Sequence, residues 1–480
     1  MKHLSRWMAA VALVALVAAC SAPDDLAADW STWDDGYVAL TATHGSEPAL
    51  STSARGGTPE RYILSTNGVL RGVEAAAARR GDVLVHHAPQ AGFAVVETAD
   101  PSAYARFANV IVRDLVVSWR EPTEVVAFEA EVGDPPFSGS ADFFFDLQWG
   151  HVPVRATAAW AAGVRGEGVR VAVIDGGFDL THPDLVPNIN FELSKNFVAG
   201  ETLQYALPNP FSHGAHVAGT IAAAQNDFGV IGVAPDAELV LLKALGDAGS
   251  GSFGDVGAAM VYAADVGADI VNMSLGAQIP QGVGADARYV AELRVFMQRI
   301  ANYATWKGSL LISSAGNSGL DLDKTADLVV FPAGLARVVS VSATAPVGWA
   351  VDPENADFDR LASYSNYGRS GIDVSAPGGD FFYAFVDPAQ PCTVAGLTRP
   401  CFVFDFVFST GALNSWYWSV GTSMAAPHAS GVAALILSEY GGSGSLTPAQ
   451  LERELIRRAA DLGLPGRDPV HGKGAVQSGY

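Results

Sequence analysis

Basic side chains and cysteines are both scarce in this chain of 480 residues. Lys and Arg together number 29, against 50 Asp and Glu, and the formal net charge is −21 at pH 7. Proteins that bind nucleic acid need clustered basic side chains to neutralise phosphates, so this balance argues against DNA or RNA as a partner. What the chain has in quantity is apolar side chains, at 49% of residues, and 51 glycines. That composition, at this length, is typical of α/β enzymes with a large core and many tight turns.

Long apolar runs are limited as well. The apolar stretch at the N-terminus covers residues 8–19 and is shorter than the roughly 20 residues that a membrane-spanning helix needs. Because Lys2 and Arg6 precede it, residues 1–19 are predicted to be an export signal peptide. The stretch ends in Val-Ala-Ala-Cys, which resembles the lipobox of bacterial lipoproteins. The resemblance implies cleavage before Cys20 and lipidation of its sulfur, so that a lipid attaches the exported protein to a membrane; an ordinary signal peptide with an incidental cysteine is the alternative.

The two other cysteines are Cys392 and Cys401. If Cys20 carries a lipid, they remain as an even pair. In an exported protein they can form a disulfide that closes a loop of about 10 residues and restricts the unfolded chain. Two free thiols are the alternative.

The first part of the chain divides into three segments. Residues 20–59 are small and polar without a sustained period, which predicts a flexible tether. Residues 60–120 predict a small α+β domain in the ferredoxin-like order β-α-β-β-α-β, whose second helix starts at Asp100 and whose last strand covers 110–119. Proline and glycine interrupt residues 121–141, which indicates a linker.

From residue 142 to the C-terminus, short apolar runs alternate with helical patterns. The runs predicted as strands are 169–174, 239–245, 270–276, 310–314, 338–342 and 372–375. This alternation predicts an α/β fold with a parallel sheet and helices on both faces.

Four polar residues stand at the end of a predicted strand or at the start of a predicted helix. Asp175 ends the first strand, where open α/β sheets place their sites, although an aspartate before glycine also forms turns. Ser423 opens a helix, whose free N–H groups could stabilise an oxyanion, although a helix cap is the simpler interpretation. His213 and His216 start another helix, and their spacing requires a metal site to be considered; no third ligand with convincing spacing accompanies them.

Four segments, taken together, resemble the signature blocks of subtilisin-like serine proteases. In chain order they are VAVIDGGFD (171–179), SHGAHVAGT (212–220), SAGNSG (314–319) and GTSMAAPHASG (421–431). The resemblance covers about residues 146–480. It implies a subtilisin-like catalytic domain over 142–480, and it implies that residues 60–120 are an inhibitory propeptide that is cleaved off within 121–141.

The same resemblance assigns roles to the polar residues. It implies a triad of Asp175, His213 and Ser423, with the Asn317 side chain and the Ser423 backbone N–H as the oxyanion hole. The expected reaction is hydrolysis of peptide bonds in proteins or peptides through an acyl-enzyme. A lipoprotein that binds peptides without cleaving them and a metal-dependent hydrolase that uses His213 and His216 are the rival functions.

Further residues are implied to bind the substrate. Gly249 and Gly251 resemble the edge that pairs with an extended substrate backbone. The segment Ser274, Leu275 and Gly276 resembles the opposite edge. Together with Ser314, Ala315 and Gly316 it would form the walls of the S1 pocket. Backbone pairing predicts broad specificity. Val330 aligns with the pocket floor and is predicted to disfavour large aromatic P1 side chains.

A structural calcium ion is also implied. Asp184 and Asn226 resemble ligands of the family's calcium site, and Asp142 becomes the N-terminal ligand after a shift of one residue in the alignment. Carboxylate and amide oxygens suit this hard cation, although the same residues could form a hydrogen-bonded turn.

The chain departs from the family pattern at three places. Gly176 and Ala215 replace hydroxyl-bearing residues beside the catalytic aspartate and histidine, which predicts an altered rate. Residues 379–419 are longer than a minimal family member needs, carry the cysteine pair and many aromatic side chains, and are predicted to be a stapled surface loop.

Overall fold

A computed structural model of the chain describes residues 58–118, 125–128 and 140–480. The predicted signal peptide, Cys20 and nearly all of the predicted tether lie outside these residues. Among the residues described, none of the helices combines the length and the apolar character that crossing a membrane requires.

The small N-terminal domain contains a four-stranded antiparallel sheet in the order β2-β3-β1-β4. This is the ferredoxin-like strand order. Its elements are β1 Glu60–Ser65, α1 Val73–Arg80, β2 Val83–Ala88, β3 Phe93–Thr98 and β4 Val110–Arg113.

Two local predictions for this domain are wrong. The second helix is only a 3-10 helix, Pro101–Tyr104; the Asp100 side chain makes no capping bond to it and accepts from Ser102 Oγ. The last strand is interrupted at Asp114, whose buried carboxylate accepts a hydrogen bond from the Gly254 backbone. The chain then leaves the sheet and forms a separate strand, β5 Val116–Ser118.

Successive side chains of β1 and β3 point to opposite sides of the small sheet, and both sides are apolar. Leu64 and Val96 point to α1 and form the domain's own core. Ile63, Phe93 and Val95 point the opposite way and belong to a core shared with the large domain. Since neighbouring side chains in a strand face opposite sides, one short sheet packs against both domains.

The large domain is built on a seven-stranded parallel sheet in the order β16-β15-β13-β11-β7-β9-β8. This confirms the predicted α/β class. The strands are β7 Arg170–Asp175, β8 Lys195–Asn196, β9 Glu238–Lys243, β11 Ile270–Met273, β13 Leu310–Ser314, β15 Val338–Thr344 and β16 Val374–Pro377.

Helices cover both faces of this sheet. They are α2 Ala156–Ala161, α3 His213–Ala222, α4 Phe253–Asp265, α5 Ala285–Lys307, α6 Thr422–Glu439 and α7 Pro448–Arg458. Val171 and Val173 of β7 pack in the core that contains α3 and α6, while Ala172 and Ile174 pack in the core that contains α4 and α5. Each strand is therefore apolar at successive positions, as buried parallel strands are.

Shorter strands surround the sheet. β10 Ser250–Ser252 pairs with β5, β12 Ala277–Pro280 pairs with β14 Leu328–Phe331, and β17 Pro391–Val394 pairs with β18 Leu397–Pro400. A three-stranded sheet is formed by β19 Val407–Thr410, β20 Trp416–Ser419 and β6 Val125–Phe128. Cys392 and Cys401 form the expected disulfide.

Two predictions about irregular segments are corrected here. The predicted linker 121–141 contains a paired strand, β6. The predicted surface loop 379–419 is largely buried in its second half, where Phe404, Phe408 and Trp418 lie in the core and β19 packs against α3. The aromatic side chains that made this stretch unusual are the reason that it enters the core.

Candidate active site

The carboxyl ends of the parallel strands bring Asp175 and His213 together. Asp175 is the last residue of β7, and His213 is the first residue of α3. Ser212 caps α3: its Oγ accepts from the Ala215 N–H at 3.1 Å and donates to Gly177 O at 2.7 Å. The cap therefore ties the start of the helix to the turn after β7.

The Asp175 carboxylate lies against one edge of the His213 ring. Nδ1 of His213 is 2.9 Å from Oδ1 and 3.0 Å from Oδ2 of Asp175, and both side chains are buried. Nδ1 therefore carries the hydrogen of the neutral ring, which leaves Nε2 as the basic atom. Within the described residues, Nε2 is buried and has no hydrogen-bond partner.

Ser423 lies in the first turn of α6 and is 8% exposed. Its Oγ donates to Ser274 O at 3.3 Å, and the Ser274 hydroxyl donates to Ser423 O at 2.8 Å. Ser274 and His213 line the same cavity. The hydroxyl of Ser423 is thus directed to Ser274, a residue that lines the cavity together with His213.

Asn317 is bonded to Thr422, the residue before this serine. Its Oδ1 accepts from the backbone N–H of Thr422 at 2.8 Å and from Thr422 Oγ1 at 2.7 Å. Because the oxygen faces Thr422, the NH₂ group of the amide points to its other side. An amide N–H beside the start of α6 is the kind of donor that an oxyanion requires.

The edge predicted to bind substrate backbone is occupied by the small domain. Gly251 lies opposite Val117 in the antiparallel pairing of β5 with β10. A Cβ atom on Gly251 would lie 2.7 Å from Ala244 O, so a larger residue there would displace this edge. Gly249 lines the cavity that also contains His213.

The residues predicted for the opposite wall lie at the ends of two neighbouring strands and bond to one another and to the start of α6. Ser274, Leu275 and Gly276 follow β11, and Ser314 Oγ donates to Leu275 O at 3.3 Å. Ala315 and Gly316 continue from β13, and the Gly316 N–H donates to Thr422 Oγ1 at 3.1 Å. Val330 is buried in β14, and its effect on the S1 pocket stays a prediction.

A buried charge cluster beside the site was not predicted from the sequence. Lys243 is fully buried, and its Nζ lies 2.7 Å from Glu201 Oε2 and 2.5 Å from Asp247 Oδ1. Asp247 lines the cavity with His213. The one feature of the sequence that could have indicated this cluster is the single lysine at the end of an otherwise apolar strand.

The residues of the predicted calcium site come together. Asp142 and Asp184 are fully buried, and the Asn226 backbone donates to Asp142 Oδ1 at 3.0 Å. Burial, with a smaller contribution from Asp142, raises the pKa of Asp184 to about 7. Val230 N and Trp416 Nε1 donate to Asp184 Oδ2.

These contacts fit a cation only in part. Two buried carboxylates and an amide provide suitable oxygen atoms, but N–H groups already bond to both carboxylates. In the part of the chain that the structure describes, no three His, Cys, Asp or Glu side chains are grouped to hold a metal.

His216 is turned away from a metal-site arrangement with His213. Its Nε2 donates to Val407 O at 3.1 Å, and its ring lies 4.6 Å from the ring of Tyr417. Burial lowers its pKa to about 3. The ring is therefore a neutral part of the core, and its Nε2 is already bonded to a backbone carbonyl, which argues against the metal-dependent rival.

Known proteins are similar to this chain in sequence and in fold. A sequence model described as the Subtilase family matches residues 166–474. The chain is similar to the M-protease of Shouchella clausii (strain KSM-K16), with 34% identity over 69% of this chain and 69% of the relative. It is also similar to Subtilisin Savinase of Lederbergia lenta, with 34% identity over 69% of this chain and 97% of the relative.

Two solved structures have a similar fold. A lanthipeptide protease superposes with a TM-score of 0.57 at 30% identity and covers 70% of this chain and 94% of its own. The epidermin leader peptide processing serine protease of Staphylococcus aureus superposes with a TM-score of 0.67 at 20% identity, covering 88% of this chain and 97% of its own. At that lower identity the likeness concerns the fold alone.

Proposed function

The chain belongs to the subtilase family and is a serine-type endopeptidase, and from this premise we propose that Ser423 is its nucleophile, His213 its base and Asp175 the partner of that base. The observation that carries the assignment is the contact of both Asp175 oxygens with His213 Nδ1, which leaves Nε2 free to take a proton. A serine hydroxyl is a weak nucleophile at neutral pH and needs such a base.

The reaction follows from these positions. The Ser423 hydroxyl first turns from Ser274 to His213, transfers its proton to Nε2 and attacks the substrate carbonyl. The Asp175 carboxylate stabilises the imidazolium that results. The amide of Asn317 and the backbone N–H of Ser423 receive the oxyanion. His213 then returns the proton to the leaving amine, and water hydrolyses the acyl-enzyme with the same base.

We also propose that the protein is made as a zymogen. Ser118 lies opposite Ser250 in β10, and Val125 lies opposite Ser419 in β20, the strand that leads into α6. The chain therefore forms backbone pairs on both sides of Ser423. We propose that the self-processing bond lies between Ser118 and Val125, at the N-terminal end of the predicted linker.

Side-chain contacts support a firmly docked propeptide. Arg61 Nη2 lies 2.9 Å from Asp114 Oδ2 and 2.7 Å from Asp255 Oδ1 in the first turn of α4. His86 Nε2 lies 2.6 Å from the same Asp255 oxygen. Together with the apolar face of the small sheet, these contacts favour a domain that stays bound after cleavage.

Export, lipid attachment at Cys20 and a structural calcium ion complete the proposal. The signal-like N-terminus supports export, and the disulfide is of a kind that persists outside the cytosol. Calcium would be held by Asp142, Asp184 and Asn226, where it would neutralise two buried carboxylates. Protein and peptide chains are the proposed substrates, bound mainly through their backbones.

The decisive experiment compares the wild type with Ser423→Ala after incubation with a fluorophosphonate, with intact mass as the readout. The proposal predicts that the wild type is cleaved between Ser118 and Val125 and gains one label, while the variant stays uncleaved at that place and unlabelled. Labelling of the variant, or a wild type that neither reacts nor processes itself, would contradict the assignment of Ser423.

A further inference from the structure

A cluster of aromatic side chains is exposed just beyond β16. Phe385 is 69% exposed and Val386 is 59% exposed, and the rings of Phe381 and Phe382 each lie within 6.3 Å of the Phe385 ring. We call these four residues the aromatic shelf. Large apolar side chains that remain exposed together on a surface mark an interaction site more often than single ones do.

Short contacts connect the aromatic shelf to the start of α6. The Gly421 N–H donates to Gly378 O at 2.9 Å. Tyr364 Oη donates to Gly378 O at 3.0 Å and to Gly379 O at 2.7 Å. The ring of Phe381 stacks on the ring of Tyr364, with centroids 6.1 Å apart and planes inclined by 27°. The shelf therefore begins beside the turn that presents the catalytic serine.

The base of the shelf is held rigidly. The buried Asp380 carboxylate accepts from the backbone N–H of Ser363 at 2.7 Å and from its hydroxyl at 2.6 Å. The buried Asp405 carboxylate accepts from the backbone N–H groups of Gly348 and Trp349 at 2.7 and 2.8 Å. A rigid surface loses little conformational entropy on binding, so its apolar area can contribute to affinity.

An arginine and an aspartate at the base of the shelf contact each other. The Arg360 guanidinium lies 3.8 Å from the centre of the Phe382 ring and also contacts Asp380 at 3.5 Å. The basic group is thus shared between a ring and a carboxylate. Such a surface favours apolar side chains over acidic ones through desolvation rather than through charge.

One strand of the cleft, β20, leads to the turn that bonds to Gly378, just before the shelf. β20 runs into the turn at Gly421, and β6 pairs with it so that Val125 lies near α6 and Phe128 lies farther away, opposite Trp416. A substrate that takes the place of this segment would leave the site along β20 with its carboxyl-terminal part. The first residues of that part lie beside the turn at Gly421, which bonds to Gly378 just before the shelf.

We infer that the aromatic shelf is a specificity element that binds apolar side chains of the substrate on the carboxyl-terminal side of the scissile bond. This inference rests on the proposed role of Ser423, since that role defines where the bond is cut. The occupant is the polypeptide substrate itself. Phe385 and Val386 supply the exposed contact area, and Phe381 joins it to the cleft.

The test uses three substrates that share one sequence before the scissile bond. Two are internally quenched peptides that differ at the second to fourth positions after the bond. One carries only leucine and phenylalanine at these positions, and the other carries only aspartate. The third is a peptide anilide with no residue after it. The enzymes are the processed wild type, Phe385→Ser, Val386→Ser and, as control, Trp306→Ser, which removes an exposed ring on α5 that is 78% exposed.

The shelf variants are expected to lower kcat/KM for the apolar peptide by about tenfold, mainly through KM, because part of one apolar side chain is no longer buried. The aspartate peptide and the anilide should be cleaved at wild-type rates, and Trp306→Ser should match the wild type throughout. An unchanged preference in both shelf variants, or an equal loss on all three substrates, would overturn the inference. Failure of the wild type to cleave even the anilide would instead overturn the assignment of Ser423 and, with it, the inference.

Discussion

Lys243 lies directly opposite Asp175 in the parallel ladder between β7 and β9. A fully buried ammonium group therefore stands next to the strand end whose carboxylate orients His213. Its partners Glu201 and Asp247 come from two different loops, and Asp247 reaches the cavity of the active site. The cluster joins these loops beneath the cleft.

Replacement of this lysine should destabilise the protein. Lys243→Met leaves the largely buried Asp247 without its cation, and we expect a loss of about 3 kcal/mol in the free energy of unfolding. Denaturant unfolding of the uncleaved Ser423→Ala background measures it. The control Lys324→Met changes a lysine that is 81% exposed and should stay within about 0.5 kcal/mol of the parent. Equal stability of the two variants would show that the cluster contributes little.

The second prediction concerns the partner of the base. Asp175→Asn keeps the size of the side chain but can donate to Nδ1, which favours the wrong tautomer of His213. We expect kcat to fall by about 10⁴-fold while KM changes little. Steady-state hydrolysis of a peptide anilide measures both. The exposed Asp236→Asn is the matched control, and a loss of less than tenfold in Asp175→Asn would argue against the triad.

The third prediction concerns pH and calcium. Burial raises the pKa of Asp184, and also that of Asp405, to about 7. Since these folded-state pKa values exceed the ordinary value of 3.8, folding takes up protons, and the contribution of these groups makes the metal-free protein more stable as the pH falls from about 7 toward 4. Calcium competes with the proton at Asp184, so it should raise the Tm more at pH 8 than at pH 5.

Thermal unfolding of Ser423→Ala in EGTA and in excess calcium, at both pH values, tests this expectation. Asp184→Asn should abolish the calcium effect and reduce the pH dependence in EGTA, while Asp405→Asn should reduce only the pH dependence. A calcium effect that survives Asp184→Asn would mean that the ion binds elsewhere.

The fourth prediction concerns release of the small domain. Arg61→Met removes the guanidinium that contacts both Asp114 and Asp255, so the cleaved domain should dissociate faster. The delay between processing and full activity should shorten several-fold. Arg113→Met is the control, because Arg113 pairs with Glu60 inside the small domain and both side chains are about 40% exposed. An equal delay in the two variants would contradict a docking role for Arg61.

The sequence was sufficient for the parallel sheet, for Asp175 at a strand end and for His213 and Ser423 at the starts of helices; their catalytic roles came from the family resemblance and stay a proposal. Uninterrupted apolar runs identify buried parallel strands, and the polar residues at their ends fall where such sheets form sites. The alternation that splits Ile63 from Leu64 was equally visible in the sequence. The sequence did not show, however, that the second apolar face of the small sheet packs against the large domain.

Other features depend on contacts between distant segments. Glu201 and Lys243 are far apart along the chain, so no local pattern predicts their ion pair. The strand at Val125 is formed by pairing with β20, and glycine and proline nearby hid it. The segment with Phe404 and Trp418 was predicted to lie on the surface, because its glycines and its cysteine pair outweighed the aromatic side chains that bury it.

The double pairing of one chain with β10 and β20 has a kinetic consequence. If the molecule that cuts the bond is also the one that carries it, as we propose, the first cleavage is a unimolecular event whose half-time should be the same at every protein concentration. Dilution would slow cleavage by a second molecule in proportion, but it would not delay a reaction whose effective substrate concentration is set by the fold.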